Sequence, residues 1–337
     1  MLLLERAGER LRSLAQFPGG ANSLVFRAEA ESGRVFLLKR YLQRPGDESS
    51  RLGTEFEGLS FLWAHGVRAI PEPLASIPGE ELALYRFIPG RKLEPGEVGR
   101  GEVEAALGLV DRLVALGRLP AAAALPRAKE SCRSLEDYLG VVRTRVSRLA
   151  ALPPAPGPEE ELAVWLAGPF HSFLERAESF ARETYRAHGL DPAACLPRGE
   201  LVLSPSDFGF HNAIRREPGG DLVFIDFEYW GWDDPAKLVA DFFLQPAVPV
   251  PAALRSPFFR GVAALVPAPE SLRARLAAVH LLSALKWCLI MLNVFGRPEA
   301  DAPGGRERCA LQLGKARGAL AALEDELRRR AFPLGGA

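Results

Sequence analysis

Three oxygen-bearing side chains stand close together late in this chain. Asp207 precedes Asn212 by five positions, in Ser206-Asp-Phe-Gly-Phe-His-Asn212. Asp226 follows Asn212 by fourteen, in Leu222-Val-Phe-Ile-Asp-Phe-Glu228. The residues between read as strand, turn, strand: Ala213-Ile214-Arg215, then Glu217-Pro-Gly-Gly220, then Leu222 to Ile225. A hairpin centred near Gly219 sets Asn212 opposite Asp226, and cross-strand partners lie roughly 5 Å apart. An amide oxygen and a carboxylate so placed can share a hard cation such as Mg²⁺, which takes its remaining ligands from water or phosphate. Asp207, on the loop before the hairpin, is then free to face a nucleophile. The plainer alternative is that Asp207 and Asn212 cap turns and Asp226 closes a strand.

A second set lies near the N-terminus. Pro18-Gly-Gly-Ala-Asn-Ser23 is a loop of small residues leading into a strand, and such loops let backbone N–H groups approach phosphate. Gly20 and Ser23 are its candidate contacts, though many such loops are only turns. Lys39 falls across a predicted hairpin from about Val25, within reach of phosphates under that loop; an edge-strand lysine facing water would read the same way. In the following helix, Leu52, Leu59 and Leu62 form one stripe, and Glu55 lies on it at i+3 from Leu52. A carboxylate on an inward face needs a partner, and Lys39 is the natural one. The competing reading is an exposed boundary glutamate. Leu84-Tyr-Arg-Phe-Ile-Pro-Gly90 reads as a connector where backbone groups of Arg86 and Ile88 can meet an adenine, or as a plain strand exit.

The elements that position these groups follow from pattern. Leu24–Ala28 and Val35–Leu38 are short strands joined at Glu31-Ser-Gly33, a helix runs from about Glu48 to His65 and stops at Gly66, and Leu82–Phe87 is a further strand. Beyond residue 100 the periodicity turns helical: Gly101–Leu116, Ser134–Leu149, a helix over Glu159–His188 after the proline-rich 152–158, and most of 234–332. The short runs Leu201–Leu203 and Leu222–Ile225 are strand-like.

Composition narrows the classes. The 337 residues carry no formal net charge, which argues against nucleic acid and against an anionic membrane surface as partners. Only six of the 42 basic residues are lysine, an arginine excess that carries no information on function. The four cysteines and five histidines have no metal-ligand spacing. The N-terminus is not a signal peptide, and the apolar stretch Leu276–Phe295 holds His280, Lys286 and Asn293, which favours a buried helix over a bilayer span. A cytoplasmic protein is expected.

Taken together, GGANSLVFR near residue 20, LLKRY around Lys39, TEFEGLSFLWAHGV from 54, LYRFIPG at 84–90, SDFGFHN at 206–212 and IDFEYWGWDDP at 225–235 resemble the aminoglycoside phosphotransferase and choline kinase superfamily. The segments run in the family's order, and IDFEY is most like the choline kinase branch. The resemblance implies an α+β, bilobal, protein-kinase-like fold: a small β-rich N-lobe with one helix at 1–85, a connector at 86–90 and a large mainly α C-lobe at 91–337. It also implies transfer of the ATP γ-phosphate to a hydroxyl of a small molecule such as an aminoglycoside, a sugar or an amino alcohol. Asp207 matches the catalytic aspartate, Asn212 and Asp226 the Mg²⁺ ligands, and Lys39 the α/β-phosphate lysine, held by Glu55. Two positions depart from the pattern. Pro205 stands where the family usually has His two residues before the catalytic Asp, and Leu238 stands where an Asp often follows the Asp-Pro pair. The first leaves open an alternative, a nucleotide-binding pseudokinase or scaffold without turnover. Tyr229, Trp230, Trp232 and Trp287 are candidates for caging a quaternary ammonium or, more simply, for packing. Glu228, Asp233 and Asp241 are candidate carboxylates for a polyamine acceptor.

Overall fold

The computed structural model describes residues 4, 7–18, 22–43, 50–153, 155–297, 300 and 302–329. The chain separates into two compact units, one formed by residues 1–129, 202–233 and 247–249, the other by 130–201, 234–246 and 250–337.

The first unit is built on a five-stranded antiparallel sheet. Its strands are β1 (Leu11–Gln16), β2 (Ser23–Ala30) and β3 (Val35–Tyr41), then, after helix α1 (Arg51–Ala64), β4 (Pro73–Ile77) and β5 (Leu82–Arg86); the order across the sheet is β1-β2-β3-β5-β4. The β2–β3 hairpin sets Val25 opposite Lys39. Leu4, Ala28, Ala30, Phe36 and Leu84 form the buried cluster on one face. The sequence pattern misses β1 and β4 for a physical reason. Both are edge strands, and β1 is exposed along nearly its whole length, so neither carries apolar alternation. Helix α1 starts where Ser50 Oγ accepts from the Gly53 N–H at 3.0 Å, and stops at Gly66, whose φ of 82° suits a residue without Cβ. Its inward stripe is Leu52, Glu55, Gly58, Leu59 and Leu62, all buried.

The same unit continues through β6 (Gly90–Lys92) and α2 (Arg100–Gly117), and resumes after residue 201 with β7 (Val202–Ser204), β8 (Ala213–Arg216), β9 (Leu222–Phe224) and β10 (Gly231–Asp233). β6, β8 and β9 form one small sheet and β7 pairs with β10. Gly90 has φ of 150°, and a Cβ there would lie 2.2 Å from the Arg215 carbonyl oxygen, so the β6–β8 pairing demands glycine.

The second unit is mainly helical: α3 (Leu135–Ala150), α4 (Pro158–Trp165), α5 (His171–Ala187), α6 (Pro235–Leu244), α7 (Ala252–Leu265), α8 (Pro269–Met291) and α9 (Gly305–Arg329). The helix expected over 159–188 is interrupted by a π-helical turn, Leu166–Phe170, which contains Pro169. The wider turn accommodates the missing proline N–H without ending the helix. Asp234 caps α6, accepting from the Ala236 N–H at 2.8 Å, with Pro235 at the first helical position. The stretch Pro269–Gly296 is long and apolar enough to cross a membrane, but 72% of its most apolar window is buried within the protein. Its buried basic side chains meet carboxylates: Arg275 meets Asp234, His280 meets Glu326, and Lys286 meets Asp241.

Candidate active site

Lys39 is the centre of the site. Cross-strand pairing places it midway along β3, and the inward stripe of α1 brings Glu55 to it. Lys39 Nζ donates to Glu55 Oε2 at 2.6 Å and to Asp226 Oδ1 at 2.8 Å, and lies 3.8 Å from Glu228 Oε2. Glu55 is engaged on both oxygens. Oε2 also accepts from the Tyr41 hydroxyl at 2.6 Å, and Oε1 accepts from the Phe227 N–H at 3.1 Å. Tyr41 and Tyr85 join their hydroxyls at 2.8 Å. Burial by itself favours the neutral amine of Lys39, but Asp226, Glu55 and Glu228 outweigh it and hold the ammonium well above the ordinary lysine value. Burial and the Glu55 charge push both tyrosines up, so they stay protonated donors.

The hairpin carrying the other groups differs from expectation by one residue. β8 and β9 pair Ala213 with Phe224, and the Ile225 N–H donates to the Asn212 carbonyl at 2.8 Å. Asn212 therefore faces Ile225, and Asp226 lies one position beyond. The cause is the turn, where Arg216 and Asp221 close a four-residue loop through the Arg216 N–H to the Asp221 carbonyl at 2.9 Å. Asp226 then takes φ of 68°, in the left-handed region that Asp tolerates better than most residues. That turn directs its carboxylate to Lys39. Burial pushes the Asp226 carboxyl up, but Lys39 outweighs this and holds it below the usual carboxylate range, so it is ionised.

Asp207 is about one-third exposed. Asn212 Nδ2 donates to its carbonyl at 3.1 Å and to its Oδ2 at 3.2 Å, and His211 Nε2 lies 3.3 Å from its Oδ1. The loop that presents Asp207 is fixed from before: Ser206 has φ of 68°, its N–H donates to Ser204 Oγ at 3.0 Å, and its hydroxyl donates to the Lys129 carbonyl at 3.3 Å. The structure thus groups Lys39, Glu55 and Asp226 by direct contact, and Asp207 with Asn212 by another.

The remaining candidates are more scattered. Gly20 lies outside the described residues. Ser23 is buried at the start of β2, opposite Tyr41. The Arg86 N–H donates to the Glu72 carbonyl at 3.0 Å, so an adenine contact at Arg86 falls to its carbonyl. Ile88 is half-buried just beyond β5. Trp230 and Trp232 are packing residues: both are buried, Trp230 against Gly58 of α1, while Trp232 Nε1 donates to the Ala122 carbonyl at 3.1 Å. In the helical unit, Trp287 Nε1 donates to Asp241 at 3.2 Å, and Lys237 and Lys286 also pair with that carboxylate, which is therefore already neutralised.

Sequence reasoning missed one junction. Asn22 Nδ2 donates to Glu228 Oε1 at 2.7 Å and to the Tyr229 hydroxyl at 2.6 Å, tying a residue of the small-residue loop to the segment carrying Asp226. Both residues stand inside segments that sequence reading singles out. Their pairing spans more than two hundred positions, and no local pattern encodes it.

The phosphotransferase enzyme family, APH, matches residues 13–275, a span that includes Lys39, Glu55, Asp207, Asn212, Asp226 and Glu228. The chain belongs to this family. No curated protein matches it by sequence. Among solved structures it resembles spectinomycin phosphotransferase APH(9)-Ia in complex with ADP and spectinomycin (TM-score 0.60, 11% identity, 96% of this chain and 97% of that one). It also resembles amicoumacin kinase hAmiN in complex with AMP-PNP, Ca²⁺ and Ami (TM-score 0.58, 14% identity, 98% and 94%). A third is a choline kinase from Cryptosporidium parvum Iowa II (TM-score 0.57, 13% identity, 93% and 90%). At such identities the likeness is one of fold, and the fold is that of kinase-like phosphotransferases.

For a member of this family the donor set suits a hard divalent cation. The amide nitrogen of Asn212 is spent on Asp207, which directs its oxygen to other uses. Asp226 is ionised, and carboxylate oxygens of Asp226 and Glu228 lie within 4.8 Å of each other, whereas the neighbouring Glu55 is already engaged on both oxygens. These are oxygen ligands without sulfur or imidazole, the set that Mg²⁺ prefers. Burial, and then the charge of Asp226, pushes the Glu228 carboxyl up, so cationic charge brought to this site meets a group that gains from it.

Proposed function

We propose that this chain transfers the γ-phosphoryl group of Mg-ATP to a hydroxyl of a small molecule: an aminoglycoside, a sugar or an amino alcohol such as choline. The observation that carries the reading is Lys39, buried and held between Glu55 and Asp226. A desolvated ammonium fixed at both sides is a rigid donor for α- and β-phosphate oxygens. Asn212 and Asp226 would hold Mg²⁺, which supplies neutralisation of charge on the phosphate oxygens when bound. Backbone groups near Gly20 and Ser23 would cover the phosphates, and those at Arg86 and Ile88 would meet the adenine. Asp207 orients the acceptor hydroxyl and takes its proton as the acceptor oxygen bonds to the γ-phosphorus; the bond from that phosphorus to the bridging oxygen breaks and ADP leaves. Because the transition state is loose, most of the rate enhancement comes from positioning and charge stabilisation.

The family match and the small-molecule ligands of the solved relatives support a small acceptor, and none of them singles one out for this chain. A pseudokinase is the weaker reading. Lys39, Glu55, Asp207, Asn212 and Asp226 are all retained, and Pro205 removes none of them.

Titration calorimetry tests the reading. Wild-type protein should bind ATP at millimolar Mg²⁺, Asp226→Ala should abolish that binding, and Asp207→Ala should keep it while losing ADP release across a panel of hydroxylated amines and sugars. Absence of Mg-dependent ATP binding in the wild type sinks the proposal, and a fully active Asp207→Ala removes Asp207 from its role.

A further inference from the structure

We infer that His211 is a positioning residue for Asp207, locking the carboxylate that faces the acceptor hydroxyl; the inference rests on the phosphotransferase reading. Among the described residues, the side chains that meet the Asp207 carboxylate are two, and both follow it in the chain. Asn212 Nδ2 donates to Oδ2 at 3.2 Å, and His211 Nε2 lies 3.3 Å from Oδ1. One partner alone leaves a carboxylate free to pivot about its Cβ–Cγ bond; a partner beside each oxygen fixes the plane. The preceding side offers no such hold, because Pro205 has neither an N–H nor a polar side chain and the Ser206 hydroxyl is directed at the Lys129 carbonyl.

The imidazole is itself held in place. Its residue lies in a single 3₁₀ turn, Phe210–Asn212, anchored by the fully buried Phe210. The Asn212 N–H donates to the Gly209 carbonyl at 3.1 Å, and Lys92 Nζ donates to the His211 carbonyl at 3.1 Å. The ring is four-fifths buried, and its Nδ1 is enclosed with no hydrogen-bond partner among the described residues. A neutral imidazole has one donor and one acceptor nitrogen. Nδ1 has no acceptor to donate to, whereas Nε2 faces an oxygen that can only accept, so the proton belongs on Nε2.

Two measurements test this on the full chain. The first is the ¹⁵N–¹H correlation pattern of the His211 ring, with Asp207→Ala as control. A proton on Nε2 in the wild type, with a resonance that shifts in Asp207→Ala, supports the proposal; a ring protonated at Nδ1 alone overturns it. The second is ADP release from Mg-ATP, with water and then choline, ethanolamine and spectinomycin as acceptors. His211→Ala should lower kcat roughly 10- to 100-fold, the scale of a misplaced catalytic group, while the KM for ATP and the Mg-ATP affinity stay near wild type. His211→Gln, whose amide nitrogen reaches the position of Nε2, should recover most of that loss. Equal losses in both variants, or a loss of ATP affinity matching the loss of kcat, would make His211 a packing residue and overturn the proposal. A wild type that binds no Mg-ATP instead defeats the phosphotransferase reading, and the ring spectrum still decides the geometry.

Discussion

Glu55→Ala is the most informative perturbation of the site, because one side chain holds three elements together. Its removal deletes an acceptor for Lys39 Nζ at 2.6 Å, for the Tyr41 hydroxyl at 2.6 Å and for the Phe227 N–H at 3.1 Å. The three losses are unequal. Tyr41 keeps Tyr85 at 2.8 Å, and Lys39 keeps Asp226 at 2.8 Å, so neither is orphaned. The Phe227 N–H is left buried, a cost of about 1–3 kcal/mol, and the lost charged hydrogen bond to Lys39 adds about 1.5–3 kcal/mol. A net destabilisation of about 3–4 kcal/mol is expected, in line with breaking a buried ion pair. Glu55→Gln keeps an acceptor for Phe227 and the packing, and should cost about half as much by the same accounting. Urea unfolding at neutral pH measures both, and a cycle with Lys39→Met isolates the pair, with an expected coupling of about 2 kcal/mol. The variants that still fold should also bind Mg-ATP more weakly, since Lys39 loses the anchor on its α1 side. A loss below about 1 kcal/mol for Glu55→Ala, or a coupling within about 0.5 kcal/mol of zero, would refute the claim that Glu55 holds Lys39.

Three further outcomes follow from particular contacts. Gly58→Ala places a Cβ 2.1 Å from the indole nitrogen of the buried Trp230; the gain in helix propensity is about 1 kcal/mol, but overpacking should dominate at about 1–3 kcal/mol and lower the urea midpoint. Glu228→Gln should stabilise the protein at neutral pH. A carboxyl whose folded value lies above its unfolded one binds its proton more tightly in the folded state, so the ionised form costs stability, and the wild type recovers that cost as pH falls. Melting temperatures of the two should converge in mild acid, and a variant less stable at neutral pH would contradict this. Asp234→Ala removes the α6 cap and the acceptor of Tyr138, and weakens the pairing of the buried Arg275, so a loss of about 3 kcal/mol in denaturant unfolding is expected.

Much of this architecture is visible to local reasoning, and the reason is sequence separation. The β2–β3 hairpin has a turn of few residues, so the Val25–Lys39 pairing follows from counting. Glu55 on the α1 stripe follows from helical period, and Asp234 as a cap follows from the Asp-Pro pair. Where burial leaves no periodic trace, local reasoning fails. β1 is an exposed edge and β4 opens on a proline, so both look like loop. The π turn at Leu166–Phe170 is a local adjustment to Pro169 that helical period passes over.

The sequence alone therefore determined which groups can do chemistry and their order: the lysine on a strand, the glutamate on the next helix, and the Asp, Asn and Asp around one hairpin. These depend on residue type and on short-range geometry, which steric rules fix within a few residues. Only the tertiary structure decided how they meet. The turn after Arg216 set the β8–β9 register one residue from the counted one, and the positive φ of Asp226 then carried its carboxylate to Lys39. The Asn22–Glu228 bond joins residues 206 apart, and Trp230 is core because Gly58 leaves it room. Such contacts are selected by the packing of whole elements against one another, and that energy is absent until the chain has folded.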